Sequence, residues 1–137
     1  MKQYITNSDK ETRLLAGEIA QGFKKGVIAL YGELGAGKTT FVQGFAKSLG
    51  IKDKILSPTF VLIRQHSLAN NQTFYHIDLY RLEKTKDLKS IGMDEILSNL
   101  ENITLIEWAD RLSHLPKQTV KIEIEKLSAE KRLIKVS

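Results

Sequence analysis

The chain has 137 residues, with 21 Lys+Arg against 16 Asp+Glu, three His, no Cys and a net charge of +5. That length predicts a single domain over 1–137, with no room for a separate substrate domain or repeat array, and the lack of cysteine excludes disulfide frameworks, thiolate zinc sites and cysteine nucleophiles. The hydrophobic share of 42% and charged share of 27% suit a packed core, while the basic surplus raises nucleic-acid binding as one reading and an ordinary solvated surface as the other.

The first residues, Met1-Lys2-Gln3-Tyr4-Ile5-Thr6, have no apolar signal core, and no run approaches the ~18 apolar residues of a membrane span. A cytoplasmic protein without a membrane partner is expected. Ser8-Asp9-Lys10-Glu11 fits a capping box ahead of Leu14, Leu15, Ile19, Ala20 and Phe23, and predicts a helix over about 9–23. Val27-Ile28-Ala29-Leu30-Tyr31 is a short continuous apolar run, the pattern of a central parallel strand buried on both faces. A glycine-rich turn follows. Phe41, Val42, Phe45, Ala46 and Leu49 then recur at helical spacing up to Gly50, predicting a helix over 39–49.

Beyond it the period changes to two. Phe60-Val61-Leu62-Ile63 and the segment 73–80 flank a polar loop containing Asn70-Asn71 and read as an antiparallel hairpin. Period two puts Phe74, His76, Asp78 and Tyr80 on one face, with Tyr75, Ile77 and Leu79 on the other. Helical propensity returns over 84–100, and Ile103-Thr104-Leu105-Ile106 is a β run ending at Glu107-Trp108. Two alternating segments, 120–124 and 133–136, predict a terminal hairpin that Pro116 separates from the body. The expected fold class is α/β: a three-layer arrangement with a mixed sheet carrying antiparallel hairpin strands.

Gly32-Glu33-Leu34-Gly35-Ala36-Gly37-Lys38-Thr39 matches G-x-x-x-x-G-K-[ST], and its setting between a buried strand and an amphipathic helix is the one a phosphate-binding loop requires. Glycines let backbone N–H groups at Gly35, Ala36, Gly37 and beyond converge on phosphate oxygens, and the helix N-terminus adds partial positive charge. Lys38 supplies a cation for the terminal phosphates, and Thr39 offers a hydroxyl to Mg²⁺, a hard ion that takes a few protein oxygens with phosphate and water. Hydrolysis further needs acids at the ends of neighbouring strands. Asp78 and Glu107 both close apolar β runs, although spacing alone does not divide their roles. Ser57-Pro58-Thr59-Phe60 reads equally as a γ-phosphate-sensing segment or as a Pro turn that starts a strand. Trp108 reads either as an anchor of the core or as a residue beside the phosphate pocket or a partner. His76, two residues from Asp78 on the same face, is placed to hydrogen-bond within the site, and with no second His or Cys at ligand spacing a transition-metal role is not expected.

Together, Gly-Glu-Leu-Gly-Ala-Gly-Lys-Thr-Thr at 32–40, Ser-Pro-Thr-Phe at 57–60, His-Ile-Asp-Leu-Tyr-Arg at 76–81 and Ile-Glu-Trp-Ala at 106–109 resemble the four signature blocks of the TsaE (YjeE) family, in order and at familiar spacing. Ile91-Gly92-Met93-Asp94-Glu95 and Asp9-Lys10-Glu11-Thr12 resemble two further family segments. The resemblance implies a P-loop NTPase-like fold and a slow Mg²⁺-dependent ATPase of tRNA threonylcarbamoyladenosine (t6A) biosynthesis. It also implies that ATP turnover resets a TsaB–TsaD heterodimer, through which the chain meets tRNA indirectly. Carried over, Lys38 binds phosphates and Thr40 adds a contact, Thr39 and Glu107 hold Mg²⁺, and Asp78 orients or activates water. Ser57, Pro58, Thr59 and Trp108 then belong to a nucleotide-sensitive or partner-facing surface. Glu33 stands where the family commonly has Asp, which keeps the charge. For Arg132, in the terminal hairpin, the resemblance implies an approach to the nucleotide like that of basic residues there in relatives, but its local motif is weak and favours the other reading, a solvated surface residue. Two competing readings are a nucleotide-dependent clamp for which hydrolysis is incidental, and a small-molecule kinase, which the lack of an Arg-bearing lid disfavours.

Overall fold

A computed structural model describes residues 1–52, 63–80, 92–112 and 114–137. The elements in chain order are β1 (Lys2–Thr6), α1 (Asp9–Gly22), β2 (Gly26–Tyr31), α2 (Lys38–Ser48), β3 (Ile63–Ser67), β4 (Thr73–Asp78), α3 (Met93–Ser98), β5 (Ile103–Glu107), β6 (Val120–Lys126) and β7 (Arg132–Val136). The strands form one mixed sheet in the order β1-β7-β6-β2-β5-β4-β3. Its middle is parallel, β2 lying between β5 and β6 with β4 outside β5, and its rims are antiparallel, β3 on β4 and β1-β7-β6 at the other edge.

The period-two alternation of the central strands decides which layer covers which face. Ile28 and Leu30 of β2, Ile103 and Leu105 of β5, and Phe74 of β4 point to the side covered by α1 and α2, where they meet Ala16, Phe41 and Phe45. Val27, Ala29, Ile77 and Ile106 point the other way and pack with Met93 of α3 and Ala109. The sheet is therefore sandwiched between helical layers, as the continuous apolar runs require. Ser8 caps α1 by accepting from the Glu11 N–H at 3.1 Å. The return arm of the expected capping box differs: Glu11 accepts from the backbone of Asn7 at 2.7 Å, one residue before the cap. The two covering helices approach closely at Gly44, where an added Cβ would lie 2.3 Å from the Arg13 carbonyl oxygen. Ser48 donates across the same interface to the Gly17 carbonyl at 3.0 Å.

The structure alters several sequence expectations. The terminal hairpin is no appendage beyond Pro116: β6 pairs in parallel with β2, Ile28 opposite Val120 through Tyr31 opposite Glu123. Alternating residues Ile122 and Ile124 are buried in the main core, which draws the hairpin into the sheet. Lys2–Thr6, unassigned from sequence, is an edge strand on β7. Of the first hairpin strand expected over 60–63, Ile63 opens a strand that continues to Ser67, and 60–62 lie outside the described residues. The Asn70-Asn71 loop is as expected, with both residues at positive φ. Of the helix expected over 84–100, Met93–Ser98 is described, and 84–91 lie outside the described residues. Among the described residues no helix is long and apolar enough to cross a membrane.

Candidate functional site

The site grows from the C-terminal ends of β2, β5 and β4. The chain leaves β2 at Tyr31, loops over 32–37 and enters α2 at Lys38. Gly35 (φ +82°) and Gly37 (φ +107°) occupy backbone conformations that L side chains rarely adopt, and Gly37 is the residue from which α2 starts. No side chain caps this helix and no acid occupies its first turn, so its positive end is left for an anion.

Parity places the two acids. Asp78 follows Phe74 and His76 on the face covered by α2, and Glu107 follows Ile103 and Leu105 on the same face. The two stand side by side in register across the parallel pair of β4 and β5. Both are buried, 5% and 2% exposed, as is Lys38 at 6%. Gly35, Gly37, Lys38, Thr39 and Thr40 line one cavity of about 350 Å³ with Asp78, Glu107 and Trp108. Ala36, expected among the phosphate binders, is a buried member of the loop whose N–H donates to the Glu33 carbonyl at 3.0 Å and whose carbonyl joins a contact described below. Ser57, Pro58 and Thr59 lie outside the described residues.

The Lys38 ammonium donates to the carbonyls of Gly32 and Glu33 and lies 4.1 Å from the centre of the Trp108 ring, a cation–π distance. Burial holds its pKa below the ordinary lysine value, partly offset by Glu107, Asp78, Asp110 and Glu33. Burial also raises the pKa of Asp78 and the Glu107 charge adds to that, while a 2.9 Å hydrogen bond from the Tyr80 N–H, His76 and Lys38 act against it. The Asp78 carboxylate is thereby held as a better proton acceptor than an exposed aspartate. Glu107 Oε2 shares a 2.6 Å hydrogen bond with His76 Nε2.

Trp108 has φ +59° and ψ +42°, a strained conformation for so bulky a residue. It turns the indole out of β5 to lie against Tyr80, with ring centres 5.0 Å apart, and beside the Arg111 guanidinium at 6.0 Å. The ring lines the cavity and is also partly buried against the core cluster that contains Ile106 and Ala109.

Arg132 is a correction. Expected at a solvated surface, it is 7% exposed. Its Nε donates to the Ala36 carbonyl at 2.7 Å, and its Nη1 donates to the carbonyls of Ser128, Ala129 and Lys131. The guanidinium therefore ties the glycine loop to the β6–β7 turn, and its place on the cavity wall follows from the pairing of β6 with β2. Asp9 and Tyr80 also line this cavity and were not singled out for it from the sequence; both lie within family-like segments.

The oxygens gathered here suit Mg²⁺. Thr39 stands in the first turn of α2, beside two carboxylates, with no thiolate in the chain. Mg²⁺ needs only a few protein oxygens, with phosphate and water completing its shell.

Residues 6–134 match the family model described as Threonylcarbamoyl adenosine biosynthesis protein TsaE. This chain belongs to the TsaE family. It is similar to the tRNA threonylcarbamoyladenosine biosynthesis protein TsaE of Rickettsia conorii, 38% identical over 97% of this chain and 76% of that protein. The protein of the same name from Bacillus subtilis is 37% identical over 98% of this chain and 85% of its own length. The crystal structure of Bacillus subtilis YdiB superposes with a TM-score of 0.78 at 32% identity, covering 97% of this chain and 82% of that one. The fold is accordingly P-loop NTPase-like, and TsaE membership gives the chain a role in t6A modification of tRNA.

Proposed function

We propose that this TsaE chain is a Mg²⁺-dependent ATPase that acts as a single domain in the cytoplasm, and that its turnover resets a TsaB–TsaD complex between rounds of t6A formation next to the anticodon. The observation that carries the reading is the meeting of Lys38 and Thr39 with Asp78 and Glu107 in one cavity at the ends of β4 and β5. A glycine loop alone would bind phosphate; two buried acids facing it supply what hydrolysis needs.

The backbone N–H groups of the loop and the first turn of α2 take the phosphate oxygens, with Thr40 adding a hydroxyl. The Lys38 ammonium, held near the loop carbonyls and the Trp108 ring, turns to the terminal phosphates, exchanging neutral acceptors for charged ones, which bind it more strongly. Thr39 and Glu107 are the residues that would hold Mg²⁺. Bound there, the ion supplies neutralisation of charge on the phosphate oxygens. Asp78 orients a water for attack on the γ-phosphorus and takes its proton as the bond to ADP breaks, a task helped by its raised pKa. Trp108, lining the cavity, faces the nucleotide and the partner. tRNA is met through that partner.

Equilibrium ATP binding and steady-state hydrolysis test this in the wild type and in Lys38→Ala, Asp78→Ala and Glu107→Ala. Lys38→Ala is expected to lose binding or turnover, and the two acid variants to lose turnover while largely keeping nucleotide. Equal hydrolysis in all four proteins would refute the proposal.

A further inference from the structure

We infer that His76 is a positioning residue that fixes the Glu107 carboxylate toward the divalent cation, an inference that rests on the ATPase reading above. His76 occupies the middle of β4, opposite Leu105 of β5. Glu107 is the next residue of β5 on the same face, a diagonal neighbour within reach of a long side chain. The imidazole is fully buried, its Nε2 lies 2.6 Å from Glu107 Oε2, and its Nδ1 is buried with no hydrogen-bond partner among the described residues.

Those three facts set the chemistry. A carboxylate only accepts, so the proton between the pair is on Nε2. The hydrogen bond commits Oε2 of Glu107 to His76. One oxygen is tied back into the sheet and the other is kept for the cavity that Glu107 lines.

The surroundings argue against a purely structural role. Phe74 and Leu105, on the same face, are apolar and fully buried, so an aliphatic side chain would fill this position without leaving a ring nitrogen unmet. Replacing His76 alone leaves the buried Glu107 carboxylate without this donor, which costs stability, so the comparison is made between folded variants. What such a replacement would lose is the orientation of Glu107, the service that outer partners of metal ligands perform, commonly worth 10–100-fold in metal affinity.

Electron paramagnetic resonance of Mn²⁺, titrated into the full chain saturated with a non-hydrolysable ATP analogue, reads that orientation directly. His76→Leu removes the donor, His76→Asn keeps a polar side chain too short to place its amide at Nε2, and His76→Gln returns an N–H near the Nε2 position. The expected result is Mn²⁺ affinity 10–100-fold weaker in Leu and Asn and within about threefold of wild type in Gln. Nucleotide affinity in EDTA should change less than twofold throughout. Wild-type Mn²⁺ affinity in a folded Leu or Asn variant would overturn the inference. So would equal weakening in Asn and Gln, because loss of packing alone would then explain it. A wild-type nucleotide complex that binds no Mn²⁺ would instead overturn the Mg²⁺-dependent reading itself, and this inference with it.

Discussion

Replacing Arg132 by Met keeps most of the buried stem and removes the guanidinium. Four hydrogen bonds disappear, but they are not equal. Ser128, Ala129 and Lys131 are exposed, so water takes over at their carbonyls at little cost. The Ala36 carbonyl belongs to a buried residue and loses a 2.7 Å charge-assisted bond, the kind worth about 1.5–3 kcal/mol. A loss of about 2 kcal/mol lowers the melting temperature of a chain this size by roughly 6–10 °C. Because the bond holds the glycine loop, ATP affinity should fall by about tenfold or more, about 1.4 kcal/mol. Arg132→Lys separates geometry from charge: one ammonium cannot reproduce the fork that reaches both the loop and the turn, so nucleotide affinity should fall here too. Calorimetric melting and isothermal titration with ATP measure both quantities. A melting temperature within 2 °C and an affinity within about twofold of wild type for Arg132→Met would refute the reasoning, and wild-type affinity in Arg132→Lys would reduce the residue to a source of charge.

Asp78→Asn should raise stability at neutral pH while abolishing turnover, since Asn still accepts from Tyr80 but carries no buried charge. The folded pKa of Asp78 is raised above the ordinary 3.8. Ionising it therefore costs stability as pH rises from the unfolded value through the folded one; the advantage of Asn, seen in melting curves against pH, should vanish below about pH 3.8 and persist above the folded pKa. Gly44→Ala should destabilise by about 1–3 kcal/mol in urea denaturation, because its methyl meets the Arg13 backbone at 2.3 Å. At Gly22 nothing lies within 4 Å of an added Cβ, so Gly22→Ala should stabilise by about 0.4–1 kcal/mol. The reverse order of the two variants would refute this description of the α1–α2 contact.

Much of the site was legible because its signals are local. The apolar run before Gly32, the glycine spacing and the helical recurrence of Phe41 and Phe45 each occupy a few residues. Alternation along 74–78 and 103–107 was enough to bring Asp78 and Glu107 to strand ends. Arg132 was misjudged because its burial depends on the parallel pairing of β6 with β2, and it reaches Ala36, 96 positions earlier. No local pattern encodes such a pairing. The partner of His76 likewise required the β4–β5 register, whereas the sequence put His76 on the face of Asp78 within hydrogen-bonding reach of the site without naming Glu107. Lys2–Thr6 was passed over because an edge strand with one residue fully buried shows little alternation.

Multiple-turnover t6A formation on tRNA by a TsaB–TsaD pair, supplied with a threonylcarbamoyl donor and this chain, tests the central claim most directly. With ATP and the wild-type chain, many modifications per complex are expected, accompanied by faster ATP hydrolysis than the chain shows alone. With Lys38→Ala, or with a non-hydrolysable ATP analogue, formation should stop after about one round per complex. Continued cycling with the analogue would make this chain a nucleotide-dependent clamp, and modification indifferent to its presence would contradict the resetting role altogether.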